Sequence, residues 1–420
     1  MAARTEVDFF TDESLVEDPY PYYEAARAHG PLWREPVHGA FVVTGYDEVH
    51  AVYRDPATFS SINSFGGPFS KLPGGPEDYG DDVTALIKQA RAGLPGGNTL
   101  STLDPPDHTA YRGLMMRLLT PRRLQENEVF MWRLADRQID EFAAKGRCEF
   151  LAEYAQPFSL LVIADLLGIP EADHPALREQ FLAAGQPAAI GKVFSNDPFA
   201  FIEEWFTGYV EDRRRQPRDD VLTHMALATF PDGSVPDVID VVRAASFLFA
   251  GGQGTSARFL GNMMQLLAED ADQQARLRKD REQVPSFIEE ALRMKAPVKV
   301  NFRMARVSTT LAGVTIPAGS TLMLMVQAAN RDPGHFEDPT AFDAGRANAR
   351  EHVAFGRGPH SCPGGSLVRA DARVTLERFL DRFSSFRIDE DAHGPADNRH
   401  YTYSPSWMLR GLEDLHLELL

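Results

Sequence analysis

One short run constrains this chain most: Phe355-Gly-Arg-Gly-Pro-His-Ser-Cys362-Pro-Gly-Gly-Ser-Leu367-Val-Arg369. Four glycines stand within ten residues around a single cysteine, and an amphipathic helical pattern follows at once. Glycine permits a sharp turn and close approach of a bulky planar ligand. A cysteine just ahead of a helix sits near unpaired N–H groups and the positive dipole end, which favour the thiolate. The residues alone allow a metal ligand, a nucleophile paired with His360, or a small buried thiol. Neighbours in a turn seldom give nucleophile–base geometry. A zinc site needs three or four grouped ligands, and this loop offers two.

The run resembles the haem-binding loop of the cytochromes P450, Phe-Gly-x-Gly-x-His-x-Cys-x-Gly followed by a Leu-Ala-Arg element. Phe355, Gly356, Gly358, His360, Cys362, Gly364, Leu367 and Arg369 fall in register, with Val368 in place of the usual Ala. The resemblance implies that Cys362 is the axial ligand to the iron of haem b, with Phe355 and Gly356 beside it. It also implies a mainly α fold with a minor β region, a single domain over residues 1–420, with haem between a long distal helix and the proximal cysteine loop.

Elsewhere the residues agree. Glu290 and Arg293, three apart, share one helix face, and Ser286 and Glu289 are expected to cap that helix before Pro297 stops it. The family resemblance adds Arg346 to Glu290 and Arg293 in a structural network behind the haem. Haem propionates need cationic donors on one edge, and the resemblance nominates His108, Arg112, Arg303 and His360. The pattern is strand-like at roughly 30–60 and 298–325 and helical at roughly 105–295 and 365–384. Residues 62–100, rich in Gly and Pro, read as a long loop with one short helix.

Residues 237–269 read as one helix, although Gly251, Gly252 and Gly254 each cost about 1 kcal/mol in a helix interior. A local bulge with close approach to a flat cofactor at Gly251 accounts for them; a break between two helices is the alternative. In the family register Thr255 is the alcohol that assists proton delivery to bound dioxygen. The usual acid is absent, because Gly254 takes its place, so Gln253 or Ser256 is expected to help. The expected substrate wall is apolar: Phe65, Phe69, Leu72, Leu94, Phe181, Val193, Phe194, Phe249, Ala250, Val298, Val300 and Trp407. It suits a lipophilic small molecule.

Bulk properties narrow the partners. The net charge of −17 argues against nucleic acid, and no apolar run approaches membrane-span length. The N-terminus lacks an export pattern. With only Cys148 and Cys362, reduced thiols and a cytoplasmic location are expected. No reductase domain is seen, so the resemblance implies a ferredoxin reduced by an NAD(P)H-dependent reductase, steered by Arg117, Arg122, Arg123, Arg357 and Arg369. The function implied is a haem-dependent monooxygenase. A peroxide-driven haem enzyme or a non-catalytic haem sensor or carrier are the alternatives.

Overall fold

Alternation of side chains across short strands builds the sheet that backs the site. In this computed structural model, which describes residues 5–177, 179, 200–230 and 232–420, five strands lie in the order Leu32–Arg34, Phe41–Val43, Thr321–Met325, Val300–Ala305 and Phe59–Ser60. Phe41–Val43 runs parallel to Thr321–Met325, and the other pairs are antiparallel. Period-two alternation sends Phe41, Val43, Leu322, Leu324 and Ala305 to one core and Val42, Val300, Phe302, Met323 and Met325 to another. The hairpin of Leu32–Arg34 and Phe41–Val43 falls within the strand-like stretch expected at roughly 30–60. Thr309–Leu311 and Val314–Ile316 pair with each other, apart from the larger sheet. A third sheet joins Arg147–Glu149, His416–Leu419 and Phe386–Ile388. Sequence reading missed it because its strands are short and come from distant parts of the chain.

The helices carry most of the chain. Pro121–Phe142 starts on Thr120, whose hydroxyl accepts from the Arg123 N–H. Gln156–Leu167 is apolar on nearly all sides and ends at Gly168 with φ +78°. Val238–Ala268 runs unbroken for 31 residues through the three glycines. The break is therefore excluded, and the helix stays α throughout where a bulge was expected. It packs on Gln156–Leu167, Ala200–Arg215, Val284–Lys295 and Gly365–Arg382. Among the described residues no helix is long and apolar enough to cross a membrane. Phe181, Val193 and Phe194 lie outside the described residues.

Candidate active site

Backbone geometry shapes the proximal loop. Gly356 and Gly358 adopt φ +61° and +69°, a region that L side chains avoid. A Cβ at Gly358 would lie 2.3 Å from the Tyr53 carbonyl oxygen. The Cys362 N–H donates to the Phe355 carbonyl at 2.8 Å, which closes the turn. The helix Gly365–Arg382 begins three residues later. The Cys362 side chain is accessible, yet protein crowds the sulfur closely. Burial pushes its pKa up, while the Gly364 N–H, Arg112 and Arg369 pull it down. Arg112 donates to the Ser361 carbonyl at 2.7 Å.

Above this turn the nominated donors gather. The His108 and His360 rings lie 3.9 Å apart. Burial, then the charge of Arg112, lowers the His108 pKa to about 4. Burial, then Arg303, His108 and Arg112, lowers that of His360 to about 2. Arg303, 6% exposed, donates to the Phe302 carbonyl and lies 5.4 Å from the Tyr53 ring. Among the described residues both ring nitrogens of His108 and Nε2 of His360 are buried without hydrogen-bond partners. Such groups cost roughly 1–3 kcal/mol each. A dianionic edge would satisfy these donors, so the residues fit the two propionates of haem. No group of three or more His, Cys, Asp or Glu side chains is placed to hold a metal ion among the described residues.

Asp104 anchors the helix Asp107–Met116 that carries His108 and Arg112. It accepts from Ser60 Oγ at 2.5 Å, the Ser61 N–H at 2.8 Å and Arg306 at 2.7 Å. A second network holds the frame behind the loop. Arg293 makes a two-pronged contact with Glu290 (2.8 and 2.7 Å), both fully buried, and also donates to the carbonyls of Asn330, Pro339 and Ala341. Arg346 joins Glu290 at 3.1 Å, as the sequence suggested.

Glu289 and Ser286 do not cap the helix. Val284–Lys295 has Pro285 in its first turn and no side-chain cap, and Ser286 donates to the Gln283 carbonyl. Glu289 points into the interior, accepting from Arg369 at 2.6 and 3.0 Å and lying 3.1 Å from His352 Nε2. Burial raises its pKa, but His352 and Arg369 together bring it down to about 2. Arg369 also lies 4.8 Å from the Phe355 ring. The missed signal was two adjacent acids inside the apolar stretch Phe287-Ile288 to Ala291-Leu292.

On the distal helix, helical periodicity separates the expected residues. Gly251 and Thr255, four apart, share an accessible stripe, whereas Phe249, Gln253 and Ser256 are buried on the opposite face. Gln253 and Ser256 are therefore not beside the Thr255 hydroxyl. That hydroxyl donates to the Gly251 carbonyl at 2.7 Å. No atom lies within 4 Å of a Cβ built on Gly251.

Six wall residues pack elsewhere as well. Phe249 packs against Phe206. Val300 and Trp407 belong to the core with Phe10 and Phe302, because strand alternation turns Val300 away from Arg303. Phe69 is partly exposed and packs against Phe10 and His38. Leu72 is buried in another small core, with Leu94 packed on it. Half-buried Ala250 and Val298 remain near the stripe or its neighbouring turn, Val298 bridging to Leu409. The basic patch also thins. Arg122 pairs with Glu126, Arg123 with Glu126 and Asp165, and Arg369 with Glu289. Arg117 and Arg357 donate to backbone carbonyls.

Residues 191–405 match the family model described as Cytochrome P450. The chain is 32% identical to Cytochrome P450 144 of Mycobacterium tuberculosis, covering 97% of this chain and 90% of that protein. It is 31% identical to the cytochrome P450 monooxygenase PikC of Streptomyces venezuelae, over 96% and 91% of the two chains. The solved structure of Mycobacterium marinum cytochrome P450 CYP150A6 in its substrate-free form superposes with TM-score 0.93 at 51% identity, covering 100% of this chain and 99% of that one. The chain therefore belongs to the cytochrome P450 family, a family of monooxygenase enzymes.

Proposed function

We propose that the protein inserts one oxygen atom from dioxygen into a lipophilic small molecule, using haem b ligated by Cys362 and electrons from a separate partner. The observation that carries this is one juxtaposition. An accessible Cys362 in a glycine-built turn lies near Arg112, and buried His108 and Arg303 gather with half-buried His360 above it, donors that suit two propionates. When bound, haem supplies dioxygen binding and oxygen-atom transfer, and a thiolate ligand favours O–O cleavage.

The chain's own groups have separable tasks. The turn and the Gly364 N–H hold the sulfur, and Arg112, near enough to lower its pKa, favours the thiolate. His108, Arg112, Arg303 and His360 orient the cofactor edge. Gly251 leaves room for a flat ring system. Thr255 Oγ1 holds a proton it can share between the Gly251 carbonyl and the reacting side of the helix. A ferredoxin, itself reduced by an NAD(P)H-dependent reductase, is the electron donor this reading favours, and Arg117 and Arg357 are its remaining docking cations.

Reduction of the purified protein under carbon monoxide tests the reading. The thiolate-type absorption band is expected in the wild type and lost in Cys362→Ser. An unchanged spectrum in that variant, or a protein that takes up no haem, overturns it. Gly254, which offers no carboxylate, favours a second reading in which hydrogen peroxide drives turnover. Product formed with peroxide but not with a surrogate ferredoxin system would select it.

A further inference from the structure

Tyr53, the penultimate residue of the helix Tyr46–Arg54, belongs to none of the motifs above. It is 3% exposed, and both its backbone and its ring press on the proximal turn. A Cβ at Gly358 would lie 2.3 Å from its carbonyl oxygen, and one at Gly356 would meet its ring at 3.7 Å. The Arg303 guanidinium lies 5.4 Å from the ring centre. The phenol oxygen accepts from the Asn301 side-chain amide at 2.8 Å. Asn301 and Arg303 stand two apart on the strand Val300–Ala305, so they share one face of it. Beyond burial, which is the larger cause, the charge of Arg303 helps lower the pKa of both His108 and His360. The phenol therefore belongs to the same edge as the four donors already assigned.

Its proton has no acceptor there. The one hydrogen bond of this hydroxyl among the described residues is the one it accepts from Asn301. Burial raises the Tyr53 pKa against the opposing pull of Asn301 and Arg303, so the phenol stays protonated at neutral pH. With the amide fixed on one side of the oxygen, the proton is left for a group on the other, and a buried donor left unanswered is costly. Beside Arg303 and the two histidines, an anionic oxygen would answer it.

We infer that Tyr53 is a fifth donor to the carboxylate edge of the cofactor and the positioning residue that ties that edge to the turn presenting Cys362. This rests on the haem-thiolate reading above. Asn301 acts through Tyr53, by orienting its hydroxyl. Haem supplies the missing acceptor, so its binding and the order of the proximal turn reinforce each other.

The test compares the wild type with Tyr53→Phe, Asn301→Ala and the double variant, each with and without haem. Tyr53→Phe keeps the ring and backbone contacts and removes only the hydroxyl. It should speed transfer of haem to an excess of haem-free globin about tenfold, the weight of one hydrogen bond to a charged acceptor. The thermal midpoint of the haem-free chain should stay where it is or rise, because a buried donor without an acceptor is gone. The propionate bending bands of the resonance Raman spectrum should shift. Asn301→Ala should speed transfer about threefold, and should add little once residue 53 is Phe, since the two act as a unit. A transfer rate within about twofold of wild type in Tyr53→Phe overturns the inference. So does a faster rate matched by an equal loss of haem-free stability with the propionate bands unmoved, which a merely structural tyrosine would give. The carbon monoxide band keeps the two readings apart. A wild type that shows it while Tyr53→Phe changes nothing rejects the role of Tyr53 alone, whereas a wild type that takes up no haem overturns the underlying reading and this one with it.

Discussion

The proximal loop and the distal helix use glycine in opposite ways, and the contrast explains what each contributes. At Gly356 and Gly358 the backbone itself is unusual, with positive φ, and Gly358 has the Tyr53 backbone pressed against its Cα. At Gly251 the backbone is ordinary helix, and the missing side chain matters only for the open space beside it. The proximal side is a rigid holder backed by buried ion pairs. The distal side is a regular scaffold whose chemistry is set by which residues share a stripe.

The largest expected effect falls on the frame behind the loop. Arg293→Ala should destabilise the protein by about 3–5 kcal/mol, because it leaves the Glu290 carboxylate buried without its main partner. Urea unfolding checks this, and a loss below about 1 kcal/mol would mean the network is not what holds the proximal side.

Next comes acid sensitivity of the same frame. The folded Glu289 pKa, about 2, lies below its ordinary 4.5. Its contribution is therefore complete above pH 4.5 and is lost as pH falls toward 2, about 3 kcal/mol in all. His352, whose pKa burial lowers from 6.5, acts in the same direction. The urea midpoint should fall between pH 6 and pH 3, and Glu289→Gln should flatten that slope. An unchanged slope would reject the pairing as its source.

The glycines test the contrast directly. Gly358→Ala should cost about 2 kcal/mol from backbone strain and collision. Gly251→Ala should leave the haem-free chain about 1 kcal/mol more stable, since Ala favours helix, while weakening haem uptake. Thermal unfolding with and without haem separates the two, and the same sign at both positions would contradict the distinction.

The smallest effect is expected at Thr255, where the fold should not change. Thr255→Ala should lower product per electron pair about fivefold, or ~1 kcal/mol, with more peroxide released. Unchanged coupling would remove Thr255 from proton delivery.

Much of the proximal site was legible because its determinants are local. Cys362, the glycines and the start of the following helix occupy consecutive positions, and the Glu290–Arg293 contact spans one helical turn. The same holds for the mainly α fold with its minor sheets, since helix and strand periodicities are short-range. The wall residues were harder. Phe69, Val300 and Trp407 are apolar residues in plausible places, but apolar composition does not distinguish a cavity lining from a core. Strand alternation puts Val300 in the core and packing on Phe10 and Phe302 puts Trp407 there, while Phe69 packs on Phe10 and stays partly exposed. Likewise Gln253 and Ser256 flank Thr255 in sequence but face away from it in space.

By itself the sequence determined the family, the thiolate candidate and the helix that opposes it, because each rests on spacings within a few residues. Tertiary structure alone brought His108, Arg303 and His360 to one edge and turned Glu289 from a supposed cap into the partner of Arg369. It also set the Tyr53 hydroxyl on Asn301, 248 positions along the chain. Contacts at such separations depend on how whole elements pack, and no local pattern encodes the direction in which a side chain finally points.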